Sequence, residues 1–418
     1  FLSASVDGKT VIRTVVNGKI VEKEVPGGFA NPDFNTIRAG LGGTFNADGS
    51  NNKYVRLSTL ARLNYAYDDK YLLQVSVRRD GSSVFGEDRR YGVFPSVSVG
   101  WNIHKESFLK EVDWLNSLKL RASYGELGNE GALGYYDHQA LITTVNNWSG
   151  GYVQGTGATP WPGSASYTLL NKDLQWETIK SKNLGLDFGL FGGSVSGALN
   201  YYENITDGLL ITKEVPPSSG LEDPILNVGK ISNKGLELEA NYKFDKNDWR
   251  FDLGGAFSLL KNRVLSLANT DQVLYGTGLR FGTDHIPTQT IVGKEIGAFY
   301  LYEADGLFQT DAEAANYKNA SGDALQPDAR AGDIRFRDAN GDGVIDEDDK
   351  TYQGSGFAKY EYSLNMGVSF KNFDLSLFWQ GVGGNKLYNG NRFELEGMDA
   401  GRNFLNSTLS AWTPQNTN

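Results

Sequence analysis

The sequence contains 0 cysteines, which excludes disulfide bonds and thiolate metal sites. It also lacks any run of about 18 apolar residues, so no segment could span a bilayer as a helix. Its 3 histidines are isolated in the sequence. We find no P-loop, nucleophile elbow or dinucleotide fingerprint. The net charge of -10 argues against binding of nucleic acid. These absences leave little support for an enzyme, and we predict that the chain is not one.

Glycine and aromatic residues are abundant instead. The chain has 51 Gly, 21 Tyr, 22 Phe and 8 Trp among 418 residues, yet only 39% of its residues are hydrophobic. This combination is typical of all-β proteins. The length allows either two or three ordinary domains or one large barrel.

The clearest structural signal is a hairpin over residues 236–259. Apolar side chains occupy every second position of its first arm: Leu236, Leu238, Ala240, Tyr242 and Phe244. A polar turn follows at 245–248, and the alternation resumes from Trp249 to Leu259. A period of two is the strand period, and arms of about 10 residues suit tilted transmembrane strands. A soluble sandwich gives the same pattern, so the decision rests on repetition.

The alternation repeats along the chain, and the connections fall into two kinds. Short turns lie at 68–70, 192–193, 245–248 and 371–372. Connections of an up-and-down sheet alternate between its two ends, and this alternation places the helical segment 104–117 at the same end as the short turns. Long connections lie at 1–53, 127–177, 206–232, 263–356 and 386–418. Outer-membrane barrels have short periplasmic turns and long extracellular loops. We therefore predict an all-β fold, an up-and-down antiparallel transmembrane β-barrel of the bacterial outer membrane, with the long connections extracellular.

The number of strands indicates part of a larger barrel. We count roughly ten strands, and an open wall in lipid would leave unpaired backbone groups that cost several kcal/mol each. The strands must therefore close on themselves or belong to a larger wall. The last residues, from Trp412 onward, have the composition of a loop. We expect residues 1–418 to be one partial barrel domain.

Four longer motifs occur in order between about residues 55 and 390. They are Val77-Arg-Arg-Asp-Gly-Ser-Ser-Val-Phe-Gly86 with its continuation to Trp101, Ser117-Leu-Lys-Leu-Arg-Ala-Ser-Tyr-Gly125, Asp173-Leu-Gln-Trp-Glu177 with Asn183-Leu-Gly-Leu-Asp187, and the segment from Gly332 to Asp346. In order and spacing they resemble the SusC/RagA family of TonB-linked outer-membrane transporters of Bacteroidetes.

The resemblance implies a 22-stranded barrel with an N-terminal plug and TonB-dependent import. It also implies a SusD-like surface lipoprotein that closes the mouth as a lid. The sequence shows no plug, no TonB box and no closing C-terminal strands, which is the second reason to expect a fragment. The partners implied are this lipoprotein, the TonB complex acting through the plug, and outer-membrane lipid.

One acidic loop has the spacing of a calcium site. Its candidate ligands are Asp338, Asn340, Asp342, the carbonyl of Val344, Asp346 and Asp349. Hard oxygen ligands around a glycine-permitted turn suit Ca²⁺. The last position is Asp where Glu is usual, so the loop must close more tightly or lose a ligand. The alternative is a metal-free acidic loop held by Asx turns.

Two further groups are candidate contacts with a ligand or partner. Arg79, Arg89 and Arg90, with Arg78 and Asp80, surround one loop and could bind sugars or partner carboxylates; loop and lumen salt bridges are the alternative. Trp148, Tyr152 and Trp161, near Trp176, lie in or beside a long aromatic loop and could stack on sugars or pack against a lid. Packing within the loop or an interfacial aromatic belt would explain them equally.

The functional hypothesis is active import of a bulky nutrient, a glycan or a peptide. Polar inward residues such as Arg62, Arg78, Glu237 and Glu239 would line the lumen. A passive porin or adhesin is the first alternative, and a plug domain in the full gene would separate it from a transporter. An outer-membrane barrel enzyme is the second, and it would need a catalytic cluster at the loop ends.

Overall fold

The computed structural model describes residues 9–16, 19–26, 52–145, 163–213, 215–268, 273–276, 286–397 and 403–417. Strands dominate these segments. They are β1 (Lys9–Val16), β2 (Lys19–Pro26), β3 (Arg56–Tyr67), β4 (Tyr71–Ser82), β5 (Tyr91–Asn102), β6 (Leu115–Asn129), β7 (Ile142–Val145), β8 (Gly163–Ser166), β9 (Glu177–Leu190), β10 (Val195–Thr212), β11 (Ile225–Lys246), β12 (Trp249–Ser266), β13 (Leu274–Tyr275), β14 (Thr288–Thr290), β15 (Ala298–Leu301), β16 (Ala304–Leu307), β17 (Ile334–Phe336), β18 (Thr351–Ser355), β19 (Tyr360–Phe370) and β20 (Phe373–Gly383).

Ten of these strands form one antiparallel sheet, which we call the wall. Its order is β20-β19-β12-β11-β10-β9-β6-β5-β4-β3, so each strand pairs with the next wall strand along the chain. This is the predicted up-and-down arrangement, and the all-β prediction is confirmed. In the described part of the chain, β3 and β20 are the two edges of this sheet.

The short turns are tight and lie at one end of the wall. Lys246 pairs with Trp249, and Phe370 pairs with Phe373, so each of these hairpins turns through two residues. Asn247 and Lys371 adopt φ of 54° and 51° there. Left-handed turn residues match the right-handed twist of paired strands. The predicted helical segment on this side consists of two 3₁₀ turns, Ile103–Lys105 and Ser107–Leu109.

At the other end, the strands extend further than the sequence predicted. β10 continues to Thr212, β11 begins at Ile225 and β12 ends at Ser266, so the predicted loop bounds 206–232 and 263–356 were too wide. Backbone pairing persists here, whereas polar side chains interrupt the apolar alternation. Side-chain periodicity therefore marks the apolar band of the wall and misses the strand extensions.

One face of the wall carries exposed apolar side chains on almost every strand. Paired residues form continuous rows across it, for example Ala122, Leu184, Tyr201, Leu236 and Leu259. Leu184 is 52% exposed and Leu236 is 45% exposed. A contiguous apolar surface of this extent marks contact with lipid or with another protein. We call it the outer face.

Aromatic rings gather on the outer face near the short turns. Tyr71 stacks with Tyr67 and with Trp101, at centroid distances of 6.5 Å and 6.4 Å. Trp249 stacks on Phe370 at 4.3 Å. Transmembrane barrels have aromatic girdles at their membrane interfaces. This girdle places the membrane boundary close to the short turns.

The connection between β12 and β19 folds as a small unit at the long-loop end. Strands β13, β14, β15 and β18 form one sheet, β16 pairs with β17, and helix α1 spans Asp311–Asn316. The unit contacts the wall through the backbone of Val264, whose N–H donates to the carbonyl of Lys294 at 2.8 Å. An apolar cluster of Ile211, Ile231, Val264 and Leu267 lies at this junction.

The segment after β20 packs against the same unit. Helix α2 spans Gly390–Glu396. The Trp412 indole N–H donates to Gln309 Oε1 at 3.0 Å. A Cβ on Gly332 would lie 2.6 Å from the Trp412 ring, so glycine is required for this contact.

Two further hairpins lie outside the wall. β1 pairs with β2, and β7 pairs with β8. No helix within the described residues is long and apolar enough to cross a bilayer.

Candidate functional site

The face of the wall opposite the outer face is polar, and we call it the luminal face. One register row across it contains Arg121, Gly185, Asn200, Glu237 and Ser258. Successive side chains of a strand point to opposite faces, so the residues between the outer-face positions form the rows of the luminal face. By this parity the predicted lumen residues Arg62, Arg78, Glu237 and Glu239 lie on the luminal face.

Arg121 is the centre of a hydrogen-bonded network on this face. Its Nε lies 3.2 Å from Asp187 Oδ1, and its Nη1 donates to Asn183 Oδ1 at 3.1 Å. Its Nη2 donates to the side-chain oxygen of Asn200. A Cβ at Gly185 would lie 2.5 Å from the guanidinium carbon, so the missing side chain leaves the space that the guanidinium occupies. The network fixes a cation on the luminal face.

Charge on the luminal face changes sign along the wall. Lys119 and Arg121 line a concavity of about 430 Å³ on its earlier strands. Glu237, Glu239 and Glu361 line one of about 660 Å³ on its later strands. A surface with both signs of charge can bind polar, multiply hydrogen-bonding ligands or a charged protein domain.

At the long-loop end, the first motif builds an apolar cluster. Phe85 is fully buried, and its ring centroid lies 4.9 Å from that of Trp176. Phe94 contacts the same indole edge-on at 5.7 Å. The indole N–H donates to the carbonyl of Arg90 at 3.2 Å. Trp176 therefore packs inside the protein, as the alternative of packing within the loop predicted, and is not a free stacking surface.

The charged residues of this motif are also structural. Asp80 is 2% exposed, and Arg78 Nε donates to its Oδ1 at 2.7 Å. The Ser82 hydroxyl beside it is buried. These contacts hold the turn 80–86 closed beneath Trp176.

The predicted contact arginines differ in their surroundings. Arg79 lies on the outer face, with its guanidinium 4.1 Å from the ring centroid of Tyr91. Arg89 Nη2 lies 3.4 Å from Asp173 Oδ1, and Arg90 is exposed. Trp148, Tyr152 and Trp161 lie outside the described residues. Contact of these six residues with a ligand or partner stays a prediction.

A pocket at the mouth was missed by sequence reasoning. Tyr54, Arg56, Glu130 and Tyr135 line a cavity of about 370 Å³. The Tyr54 hydroxyl donates to Glu130 Oε1 at 2.5 Å, and Arg56 Nη1 lies 3.6 Å from the same oxygen. Glu130 Oε2 is buried without a hydrogen-bond partner among the described residues. Tyr54 and Glu130 are 76 residues apart in the sequence, so no local sequence pattern marks the pocket.

The predicted calcium loop is closed by its own backbone. Asp338 accepts N–H groups of Gly341 and Gly343 at 2.6 Å and 2.9 Å. Asp342 accepts from the backbone of Val344, and Asp346 from that of Asp348, both at 2.9 Å. Asn340 Oδ1 accepts from the backbone of Asp342 at 2.8 Å. Each of these oxygens keeps a second lone pair.

Asp349 is the buried anchor of this loop. Its Oδ1 accepts the N–H of Ala339 at 2.7 Å, and its Oδ2 accepts that of Asp346 at 2.8 Å. Burial by itself would raise the pKa of the Asp349 carboxyl, but the backbone donors of Asp346, Ala339 and Asn340 outweigh it and lower that pKa. No cluster of three or more carboxylates or imidazoles within metal-binding reach occurs among the described residues. Calcium binding here stays a prediction.

Comparison with known proteins gives a consistent family. The family described as "TonB dependent receptor-like, beta-barrel" matches residues 22–317. TonB-dependent receptor P26 of Formosa agariphila is 35% identical over 335 residues, which cover 79% of this chain and 32% of that relative. TonB-dependent receptor SusC of Bacteroides thetaiotaomicron is 28% identical over 338 residues, 79% of this chain and 31% of SusC.

Solved structures agree with this. The structure of the RagAB peptide transporter superposes with a TM-score of 0.71 at 26% identity, over 87% of this chain and 37% of that one. A RagAB peptide importer in a closed-closed state gives 0.69 at 27% identity, again over 87% and 37%. The chain thus spans about a third of the length of these relatives.

These matches decide between the fold hypotheses. A wall with an apolar outer face, a polar luminal face and short turns at one end is shared with transporters of this kind. A soluble sandwich is excluded by the family. The chain belongs to the TonB-dependent receptor-like β-barrels of the outer membrane, within the SusC- and RagA-like branch.

Proposed function

We propose that the protein of which this chain forms a barrel wall imports a bulky nutrient, a peptide or an oligosaccharide, across the outer membrane in a TonB-dependent step. The observation that carries the proposal is the continuous polar luminal face behind an apolar outer face. Such a wall provides a hydrated path through the membrane. Family membership supports active transport over a passive pore.

A peptide is the first ligand class to test. RagAB, to which the chain is structurally similar, is a peptide transporter. The luminal face offers both signs of charge, which suits the charged and amide groups of peptides. Oligosaccharides are the second class, because the mouth pocket combines two tyrosine rings with the carboxylate of Glu130.

A plug domain and a SusD-like lipoprotein complete the proposal. The plug would occupy the lumen against Arg121 and the acidic concavity, and the TonB complex would act through it. The lipoprotein would cover the long-loop end, where the unit 286–356 and the segment 403–417 are located. A calcium ion in the loop 338–349 would stiffen this end and take no part in chemistry.

Uptake by cells tests the proposal. Cells expressing the full-length transporter are given labelled oligopeptides or oligosaccharides, with and without a functional TonB complex. We expect uptake of one class that is lost when TonB is removed. Uptake that persists without TonB would instead indicate a passive pore.

The mouth pocket provides a matched pair of variants. Glu130→Gln combined with Tyr135→Ala changes the pocket, and we expect slower uptake at limiting ligand. Tyr91→Ala removes an aromatic ring from the outer face and should leave uptake unchanged. Equal uptake by both variants would remove the mouth pocket from the import path.

A further inference from the structure

From β9 to β12, the apolar band of the outer face ends between two neighbouring register rows. The last apolar row is Ala122, Leu184, Tyr201, Leu236 and Leu259. Two residues closer to the long-loop end on each strand, the next row is Tyr124, Lys182, Glu203, Lys234 and Lys261. Residues two apart share a face of the sheet. The change from apolar to charged therefore marks the edge of the hydrocarbon layer on the long-loop side, at the outer leaflet.

Cations at this edge lie opposite each other. Lys234 pairs directly with Lys261 in the β11–β12 register, and Arg263 follows two residues later on the same face. Like charges directly opposite destabilise a strand pair. All three side chains are exposed, and the Arg263 guanidinium lies beside Gly293 of the inserted unit.

Carboxylates do not neutralise this group. Glu203 is opposite Lys234, but its carboxylate lies toward Lys182, 3.9 Å from that ammonium. Among the described residues, no carboxylate lies within ion-pair distance of Lys234, Lys261 or Arg263. We call these three residues the rim cations.

Two nearby lysines on the same face do have a carboxylate partner. Asp207 lies between Lys180 and Lys230, at 2.8 Å and 3.2 Å from their ammonium groups. The wall therefore supplies a carboxylate to one pair of lysines and none to the rim cations. The unbalanced group is also the one directly above the apolar residues Leu236 and Leu259.

We propose that the rim cations bind the phosphate of an anionic lipid of the outer leaflet. Arginine can donate two parallel hydrogen bonds to a phosphate, and lysines add point charges beside it. The acyl chains of the same lipid would lie along Leu236 and Leu259. A bound phosphate also removes the repulsion between Lys234 and Lys261. This proposal depends on the outer-membrane position of the wall and not on the nutrient transported.

Native mass spectrometry of the full-length transporter in neutral detergent tests it. The probes are lipid A with two phosphates, the same lipid without phosphates, and inorganic phosphate alone. We expect the wild-type protein to retain phosphorylated lipid A and to retain the phosphate-free form poorly. The triple variant Lys234→Gln, Lys261→Gln and Arg263→Gln should bind the phosphorylated lipid about 5-fold more weakly for each cation removed.

Two control variants make the result decisive. Lys243→Gln lies on the same strand but on the luminal face, and it should retain lipid as the wild type does. The conservative Lys234→Arg with Lys261→Arg keeps the charge and should also retain it. Equal retention by the triple variant and the wild type would overturn the proposal. So would binding of inorganic phosphate alone at the same affinity, which would indicate a free-anion site. Nutrient uptake measured on the same variants separates this proposal from that of the transport function.

Discussion

The ring of Phe85 lies 4.9 Å from that of Trp176, and this contact joins the turn after β4 to the residue that precedes β9. Both rings are buried, and Phe94 packs edge-on against the same indole. Two of the longer sequence motifs therefore meet in one cluster at the mouth of the wall. Their role is to hold the ends of the strands in place.

Truncation of Phe85 should destabilise this end of the wall. Phe85→Ala removes a fully buried ring, and we expect the free energy of unfolding to fall by about 3–5 kcal/mol. Urea unfolding of the purified transporter measures it. Phe108→Ala is the control, because Phe108 is 67% exposed and its loss should change the free energy by less than about 0.5 kcal/mol. Equal effects of the two variants would contradict the packing role.

Gly128 makes room for the Phe94 ring. A Cβ at Gly128 would lie 2.1 Å from that ring, so Gly128→Ala should cost about 1–3 kcal/mol of stability through overpacking. Gly255→Ala is the matched control in a wall strand, because its nearest contact would be an ordinary 3.6 Å. Adding Phe94→Leu to Gly128→Ala should recover part of the loss. A double variant less stable than the sum of both single changes would show that the ring is not the obstacle.

The loop 338–349 should lose order at low pH. The pKa of Asp349 is lowered in the folded protein, so its stabilising contribution is present above the unfolded pKa of about 3.9. It is lost as the pH falls through the lower folded value. Hydrogen exchange of the Ala339 and Asp346 amides should accelerate in that acidic range and stay slow at neutral pH. Asp349→Asn should accelerate it at neutral pH, whereas the exposed Asp348→Asn should not.

Calcium addition tests the other prediction for this loop. Isothermal titration of the metal-free transporter should show Ca²⁺ binding, and chelation should speed amide exchange across residues 338–349. Asp342→Ala removes one predicted ligand and should weaken binding at least about 10-fold. Magnesium is the control ion, since it prefers a smaller octahedral site. Absence of binding heat together with unchanged exchange would establish the metal-free Asx-turn alternative.

The sequence predicted the wall because every second side chain of a transmembrane strand faces lipid and must be apolar. Leu236 to Phe244 is the clearest case. The same signal ended beyond Lys234, where Ile231 and Val264 pack in a buried cluster with residues of the inserted unit instead of alternating with lipid-facing side chains. Trp176 was grouped with the loop aromatics, since composition cannot tell a ring that packs inward from one that stays free. The mouth pocket joins Tyr54, before β3, to Glu130 and Tyr135, after β6, and no local pattern reports a contact between residues so distant in the sequence.

The contact of Trp412 with Gly332 has a mechanical consequence for the mouth. It ties the segment after β20 to the unit inserted before β19, and its indole hydrogen bond to Gln309 adds a second attachment. Any movement of the segment after β20 would therefore also move the inserted unit. A partner that binds one of them would therefore also act on the other.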